Sequence, residues 1–192
     1  MPLTYYRDAL VPLVDAFLSL GIAYNIGGSI ASMSYGVTRT TLDADLIAEI
    51  RNEHIAPLVE RLQHDYYIDA DMISDAVRGR SSFNVIHLPT MFKVDVFILK
   101  ATDYDRQSFL RADLRALDIE PDSPLFFVES AEDVILNKLR WYRLGGEVSE
   151  RQWDDVLGVL RVQSDALDMN YLRHWAGALG ISDLLDSVLQ KR

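Results

Sequence analysis

Between positions 6 and 20 the apolar residues Leu10, Val11, Val14, Phe17 and Leu18 recur every three to four places, the spacing of an amphipathic helix, and Gly21 supplies its stop. The next apolar stretch, 22–26, is short and β-favouring; Gly27-Gly28-Ser29 breaks it before a brief helical run over 30–35. From position 42 the pattern alternates, with Leu42, Ala44 and Leu46 on one face and Asp43 and Asp45 on the other, which predicts a strand over 42–50. Asn52 is a candidate cap for a helix carrying Ile55, Leu58, Val59 and Leu62, whose first turns Pro57 is expected to disturb. A shorter helix is expected over 71–77.

Positions 83–88 and 91–99 are rich in Val, Ile and Phe and flank Pro89-Thr90, so they read as paired strands, the second with Asp95 at its centre. Two more strands are expected over 111–119 and 125–128. Beyond Val128 the period turns helical. Ser130 with Asp133 opens a helix that Gly145-Gly146 ends, Ser149 with Gln152 opens a second to Leu160, and Leu172, Trp175, Ala176 and Leu179 mark a third. All three tryptophans, Trp141, Trp153 and Trp175, lie in this part and are expected to build its core. The expected organisation is a core over 1–129 with a helical subdomain over 130–192 packed on it.

Composition narrows the function classes. In 192 residues, 49% are hydrophobic and 25% charged, as in ordinary folded proteins. With no Cys there are no disulfides, thiolate zinc sites, iron–sulfur clusters or cysteine nucleophiles, and the cytoplasm is the expected compartment. No basic-then-apolar leader and no apolar run of the ~18 residues that span a bilayer are present, so no membrane association is expected. The 19 Lys and Arg against 29 Asp and Glu leave a formal charge of −10, which opposes extensive nonspecific binding of nucleic acid. The four His lack zinc-ligand spacing, and no phosphate-binding loop ending in Gly-Lys-Ser/Thr occurs.

The chemistry concentrates in Gly27-Gly28-Ser29, in Asp43-Ala44-Asp45 thirteen residues later, and in Val94-Asp95-Val96. Strand positions i and i+2 face the same way with Cα atoms roughly 6.5 Å apart, close enough for two carboxylates to share a cation, and a third acid on a neighbouring strand completes the set. Hard oxygen ligands suit Mg²⁺ or Mn²⁺. A Gly-Gly-Ser turn before a helix offers open backbone N–H groups to phosphate. The bland alternative, a tight turn and solvated aspartates, has to explain three acids in mid-strand, where Asp is depleted.

These elements resemble the nucleotidyltransferase superfamily of DNA polymerase β, whose signature is a Gly-Ser turn, a paired-acid strand and a later single acid between apolar residues. The contexts Arg39-Thr40-Thr41-Leu42-Asp43-Ala44-Asp45 and Phe92-Lys93-Val94-Asp95-Val96-Phe97, with the downstream stretches 131–139 and 153–157, are similar to the branch of AbiEii-type toxins and minimal nucleotidyltransferases. The resemblance implies an α/β (α+β) fold with a mixed, twisted sheet flanked by helices. It also implies Mg²⁺-dependent transfer of a nucleoside monophosphate from an NTP to an acceptor hydroxyl of RNA, protein or a small molecule, possible within a toxin–antitoxin pair. Asp43, Asp45 and Asp95 would then be catalytic metal ligands, Asp95 also activating the acceptor. Gly27, Gly28, Ser29, Arg39, Lys138 and Asp155 would bind nucleotide, with Lys138 a catalytic point charge on the triphosphate. Two other functions fit the same residues: a binding module that has lost transfer, and an antibiotic-modifying nucleotidyltransferase. Residue by residue, Lys138 also reads as a surface helix charge, Asp155 as a first-turn acid favoured by the helix dipole, and Arg39 as a neutraliser of the Asp cluster.

Overall fold

The computed structural model describes residues 4–37, 41, 43–117 and 122–191. Among them seven strands form one mixed sheet: β1 (Tyr24–Gly27), β2 (Asp43–Ala48), β3 (Tyr66–Tyr67), β4 (Ser82–His87), β5 (Phe92–Ile98), β6 (Asp113–Ala116) and β7 (Leu125–Val128), in the order β3-β4-β5-β2-β1-β7-β6. Strand β2 is antiparallel to β1 and parallel to β5, while β7 is parallel to β1. The alternation seen in the sequence is the register of this sheet. Ala44, Leu46 and Ala48 of β2, Val94 and Val96 of β5, and Phe83 and Val85 of β4 are buried on one face, whereas Asp43, Asp45 and Ile47 alternate with them onto the other.

The apolar face is covered by α1 (Thr4–Ser19), α3 (Asn52–Leu62) and α4 (Ala70–Gly79), which pack on one another and on β4 and β5. Helix α3 continues through Pro57, and the residue at its N-cap is Arg51, whose N–H donates to His54 Nδ1 at 3.1 Å, so Asn52 is the first helical residue and not the cap. Asp69 caps α4 by accepting from the Met72 N–H at 2.8 Å. The short helix α2 (Gly28–Ser34) leaves β1 directly and packs on β1 and β2. Helix α5 (Asp103–Leu110), absent from the sequence-based expectation, is capped by Thr102 and connects β5 to β6.

Helices α6 (Ala131–Leu144), α7 (Glu150–Gln163), α8 (Met169–Leu179) and α9 (Ser182–Gln190) complete the chain, and α2 packs against both α6 and α7. Ser130 and Ser149 cap α6 and α7 as the sequence predicts, accepting from Asp133 N–H and Gln152 N–H at 3.2 and 3.4 Å. Helix α6 is buried on nearly every side, and its acids are matched inside the protein. Asp133 accepts from the hydroxyls of Ser130 and Tyr171, at 2.6 and 2.7 Å, and Glu132 pairs with Arg111 at 3.0 Å. The core here consists of Ile135, Leu136, Leu139, Val156, Val159, Leu160, Leu172 and Ala176, not of tryptophan. Trp141 is exposed, and Trp153 and Trp175 only flank the cluster. Among the described residues no helix is long and apolar enough to cross a membrane.

Candidate active site

Strand register aligns the polar face of the sheet into rows. Gly27 of β1 stands opposite Asp45 of β2, Asp45 opposite Asp95 of β5, and Asp95 opposite Asn84 of β4. On the far side of Gly27, the Glu129 N–H bonds the Ile26 carbonyl at 2.9 Å, which brings Glu129 into the same row. One step along β2, Asp43 faces Lys93. A row of Glu129, Gly27, Asp45 and Asp95 therefore crosses four strands, with the glycine leaving a gap between two carboxylates.

Each acid has a different surrounding. The Asp43 carboxylate accepts from Thr41 Oγ1 at 2.7 Å, and Asp95 Oδ2 holds the Lys93 ammonium at 2.6 Å. Asp45 is the most confined: burial first, then the charges of Asp43 and Asp95, push its carboxyl up to about 6. Glu129 is buried beneath Gly27, and burial together with the charge of Asp133 pushes it up to about 8, while the hydrogen bond from Asn137 works in the other direction. Hydrogen bonding to Asp95 raises Lys93.

The turn meets the acids directly. Gly28 has φ +59°, and a Cβ there would overlap the Asp45 carboxylate, standing 2.8 Å from its Cγ. Gly21 has a similar φ of +69° with nothing within 4 Å. Gly21→Ala is thus expected to cost only the left-handed strain, about 1–2 kcal/mol, and Gly28→Ala a further 1–2 kcal/mol or so from displacing Asp45. Thermal unfolding of the pair measures that difference, and equal losses would show that Asp45 yields freely.

A cavity of about 360 Å³ opens beside this row, between the sheet and α6. Gly28, Ser29 and Asp45 lie at one end, and Ile47, Phe97, Val134 and Trp141 wall it further in. Lys138 reaches the cavity from α6 but is only 5% exposed. Its ammonium pairs with Asp155 at 2.7 Å and donates to Gln152 Oε1 at 3.3 Å. The reading of Lys138 as a surface helix charge is therefore replaced by a buried ion pair that joins α6 to α7. Asp155 is its partner and does not line the cavity. Arg39 lies outside the described residues.

The donor set fits a hard divalent cation. The three acids offer only oxygens, and Asp45 is raised by burial first and then by the charges of Asp43 and Asp95, against which Lys138 and Lys93 work in the other direction. In the present side-chain positions Asp43 and Asp95 are turned to Thr41 and Lys93, and among the described residues no three His, Asp or Glu side chains converge as metal ligands. Holding a cation requires those two carboxylates to turn from their present partners. Lys93, Glu129, Asn25 and Asn137 were not foreseen in the sequence. Lys93 had a local signal, two places before Asp95 on the same strand face; Glu129 had none, because its neighbour Gly27 is brought to it only by the pairing of β1 with β7.

No family model and no curated relative matches the chain. Solved structures do. A solution structure of the antibiotic-resistance factor ANT(2'')-Ia matches at a TM-score of 0.59 with 16% identity, over 98% of this chain and 99% of that one. The crystal structure of ANT(2'')-Ia with adenylyl-2''-tobramycin matches at 0.57 with 13% identity, over 90% and 95%. An antigenic nucleotidyltransferase-like protein from Paracoccidioides brasiliensis matches at 0.52 with 15% identity, over 94% and 91%. Over its described residues, then, this chain has the nucleotidyltransferase fold, a mixed sheet flanked by helices.

Proposed function

We propose that the protein is a nucleotidyltransferase that moves a nucleoside monophosphate from an NTP to an acceptor hydroxyl and releases pyrophosphate. The observation that carries this reading is the row itself: a left-handed glycine in contact with Asp45, both lining a cavity, with Asp45 in register with Asp95 and Asp43 one step along β2.

Asp43, Asp45 and Asp95 would hold Mg²⁺, which would supply positive charge to offset the negative charge developing in the transition state. Gly27, Gly28 and Ser29 receive the β- and γ-phosphates through the backbone N–H groups of the turn. Lys138 stabilises the departing pyrophosphate through its charge, and Asp155 and Gln152 fix where that ammonium points. Asp95 orients the acceptor hydroxyl or takes its proton. The carboxylate that turns from Lys93 to do so leaves the Lys93 ammonium beside the reacting phosphate. The stretches 131–139 and 153–157 support the AbiEii-type branch within this reading, and with it a toxin–antitoxin setting.

The test is incubation with each α-labelled NTP, Mg²⁺ and separate pools of RNA, protein and small molecules. Label is expected to move into one pool, identifying the acceptor, with stoichiometric pyrophosphate. Absence of both NTP binding and label transfer in every pool overturns the reading; NTP binding without transfer would leave a binding module.

A further inference from the structure

The cavity holds two polar groups for which nucleotidyl transfer has no use. Asn25 shares the face of β1 with Gly27, lines the cavity and is 1% exposed, and its Oδ1 accepts no hydrogen bond. Glu129, 3% exposed, also lines the cavity. Its Oε1 accepts from Asn137 Nδ2 at 2.9 Å, and its backbone carbonyl accepts from the Tyr35 hydroxyl at 2.8 Å. Among the described residues no hydrogen bond reaches Oε2, which lies 3.0 Å from where a side chain on Gly27 would begin. A side chain on Gly27 would press on this carboxyl and on Ile47 Cδ1.

Buried acceptors are nearly always matched by donors, so Asn25 Oδ1, buried with none, beside an oxygen of the cavity-lining Glu129 with none among the described residues, needs an account. Among the described residues, the cations lining the cavity do not supply it. Lys138 is committed to Asp155 and Gln152, Arg140 donates to Asp105 at 3.0 Å, and Lys100 is exposed. Asn137 already gives an N–H to Glu129. Ile47, Phe97 and Val134 wall the cavity with apolar surface, and Trp141 adds an aromatic face.

We propose that Glu129 Oε2 and the Asn25 amide form a subsite for an amino group of a substrate, one that donates N–H hydrogen bonds. The inference rests on the nucleotidyl-transfer reading for what enters the cavity. Glu129 provides the primary contact. Asn25 Oδ1 is closed to solvent and meets the ligand after the amide turns about its last torsion. An amino group of this kind comes from one of two sources: the exocyclic amine of a nucleobase such as adenine or cytosine, or an ammonium on the acceptor. Oxo groups at the same place would face the ionised Glu129 carboxylate oxygen to oxygen, so in that form the subsite discriminates as well as binds.

Equilibrium titrations separate the sources. The wild-type protein with Mg²⁺ is titrated with ATP against ITP and with CTP against UTP, pairs that exchange an amino for an oxo group, and in parallel with spermidine. Glu129→Gln is then titrated in the same way; it keeps the shape and removes the charge. If the nucleobase fills the subsite, ATP and CTP bind about tenfold or more tightly than their oxo partners, and the preference shrinks in Glu129→Gln. If the acceptor fills it, the nucleotide pairs bind alike, while spermidine binds saturably and loses about tenfold or more in Glu129→Gln. Nucleotide binding without preference, together with spermidine binding that is absent or unaffected by Glu129→Gln, overturns the subsite and leaves the nucleotidyl-transfer reading standing. Should no nucleotide bind, that reading falls and the spermidine arm alone decides the subsite. The wild-type comparison of nucleotide pairs needs no variant, so a folding defect in Glu129→Gln does not obscure it.

Discussion

Asp45→Asn is expected to lower nucleotidyl transfer by at least two to three orders of magnitude, roughly the loss on removing a preorganised electrostatic contact, and at the same time to stabilise the ligand-free protein. The second effect follows from the first group's setting. Asp45 sits at about 6 in the folded protein against 3.8 for the free side chain, because burial and the charges of Asp43 and Asp95 penalise its ionised form. Between pH 4 and 6 the folded chain keeps a proton that the unfolded chain has lost, so stability falls as pH rises through this window and the full penalty persists above it. A shift of this size corresponds to about 2–3 kcal/mol. Asparagine removes the penalty, so the melting temperature at pH 7.5 is expected to rise and the decline between pH 4 and 6 to flatten, with little change below pH 4. Adding Mg²⁺ is expected to raise the melting temperature of the wild type more than that of the variant. Wild-type turnover in Asp45→Asn would remove Asp45 from the site, and a less stable variant would refute the repulsion argument.

Lys138→Met should lose both activity and stability. Its ammonium and the Asp155 carboxylate are about 95% buried and 2.7 Å apart, so removing one leaves the other as an unmatched interior charge, a loss of about 3–5 kcal/mol. In a chain of this length each kcal/mol is worth about 2–4 °C, which places the expected fall in melting temperature at about 6–20 °C. Turnover should fall by roughly one to three orders of magnitude if the ammonium stabilises the departing pyrophosphate. The double variant Lys138→Met with Asp155→Leu separates the two roles. It replaces the ion pair by apolar side chains and is expected to recover most of the stability, but none of the single-turnover rate. Recovery of both would make the pair a structural joint between α6 and α7.

The contrast between these two residues shows where the sequence is readable. Asp43, Asp45 and Asp95 declared themselves because strand alternation is local: the residues that carry the i, i+2 pattern also create the face. The same holds for the caps of α6 and α7, where a serine and a backbone N–H three places on are neighbours in the chain. Helix α5 escaped because its apolar stripe is thin, with only Tyr104 and Ser108 buried among charged residues. Lys138 was legible as a candidate and illegible as a buried one, since the Asp155 that makes its burial tolerable arrives on another helix.

By itself the sequence determined the strand alternation, the glycine turn, the three acids and their order, all properties of contacts between residues a few places apart. Tertiary structure decided which partners those groups acquired. Pairing of β1 with β7 set Glu129 beside Gly27, and packing of α6 on α7 turned a helix charge into an interior ion pair. It also left Trp141 at the cavity rather than in the core. The physical reason is range. Alternation and capping are fixed by backbone geometry within one element, whereas burial, charge balance and unmatched hydrogen-bond acceptors depend on groups up to a hundred residues away, which meet only when the sheet has closed its register.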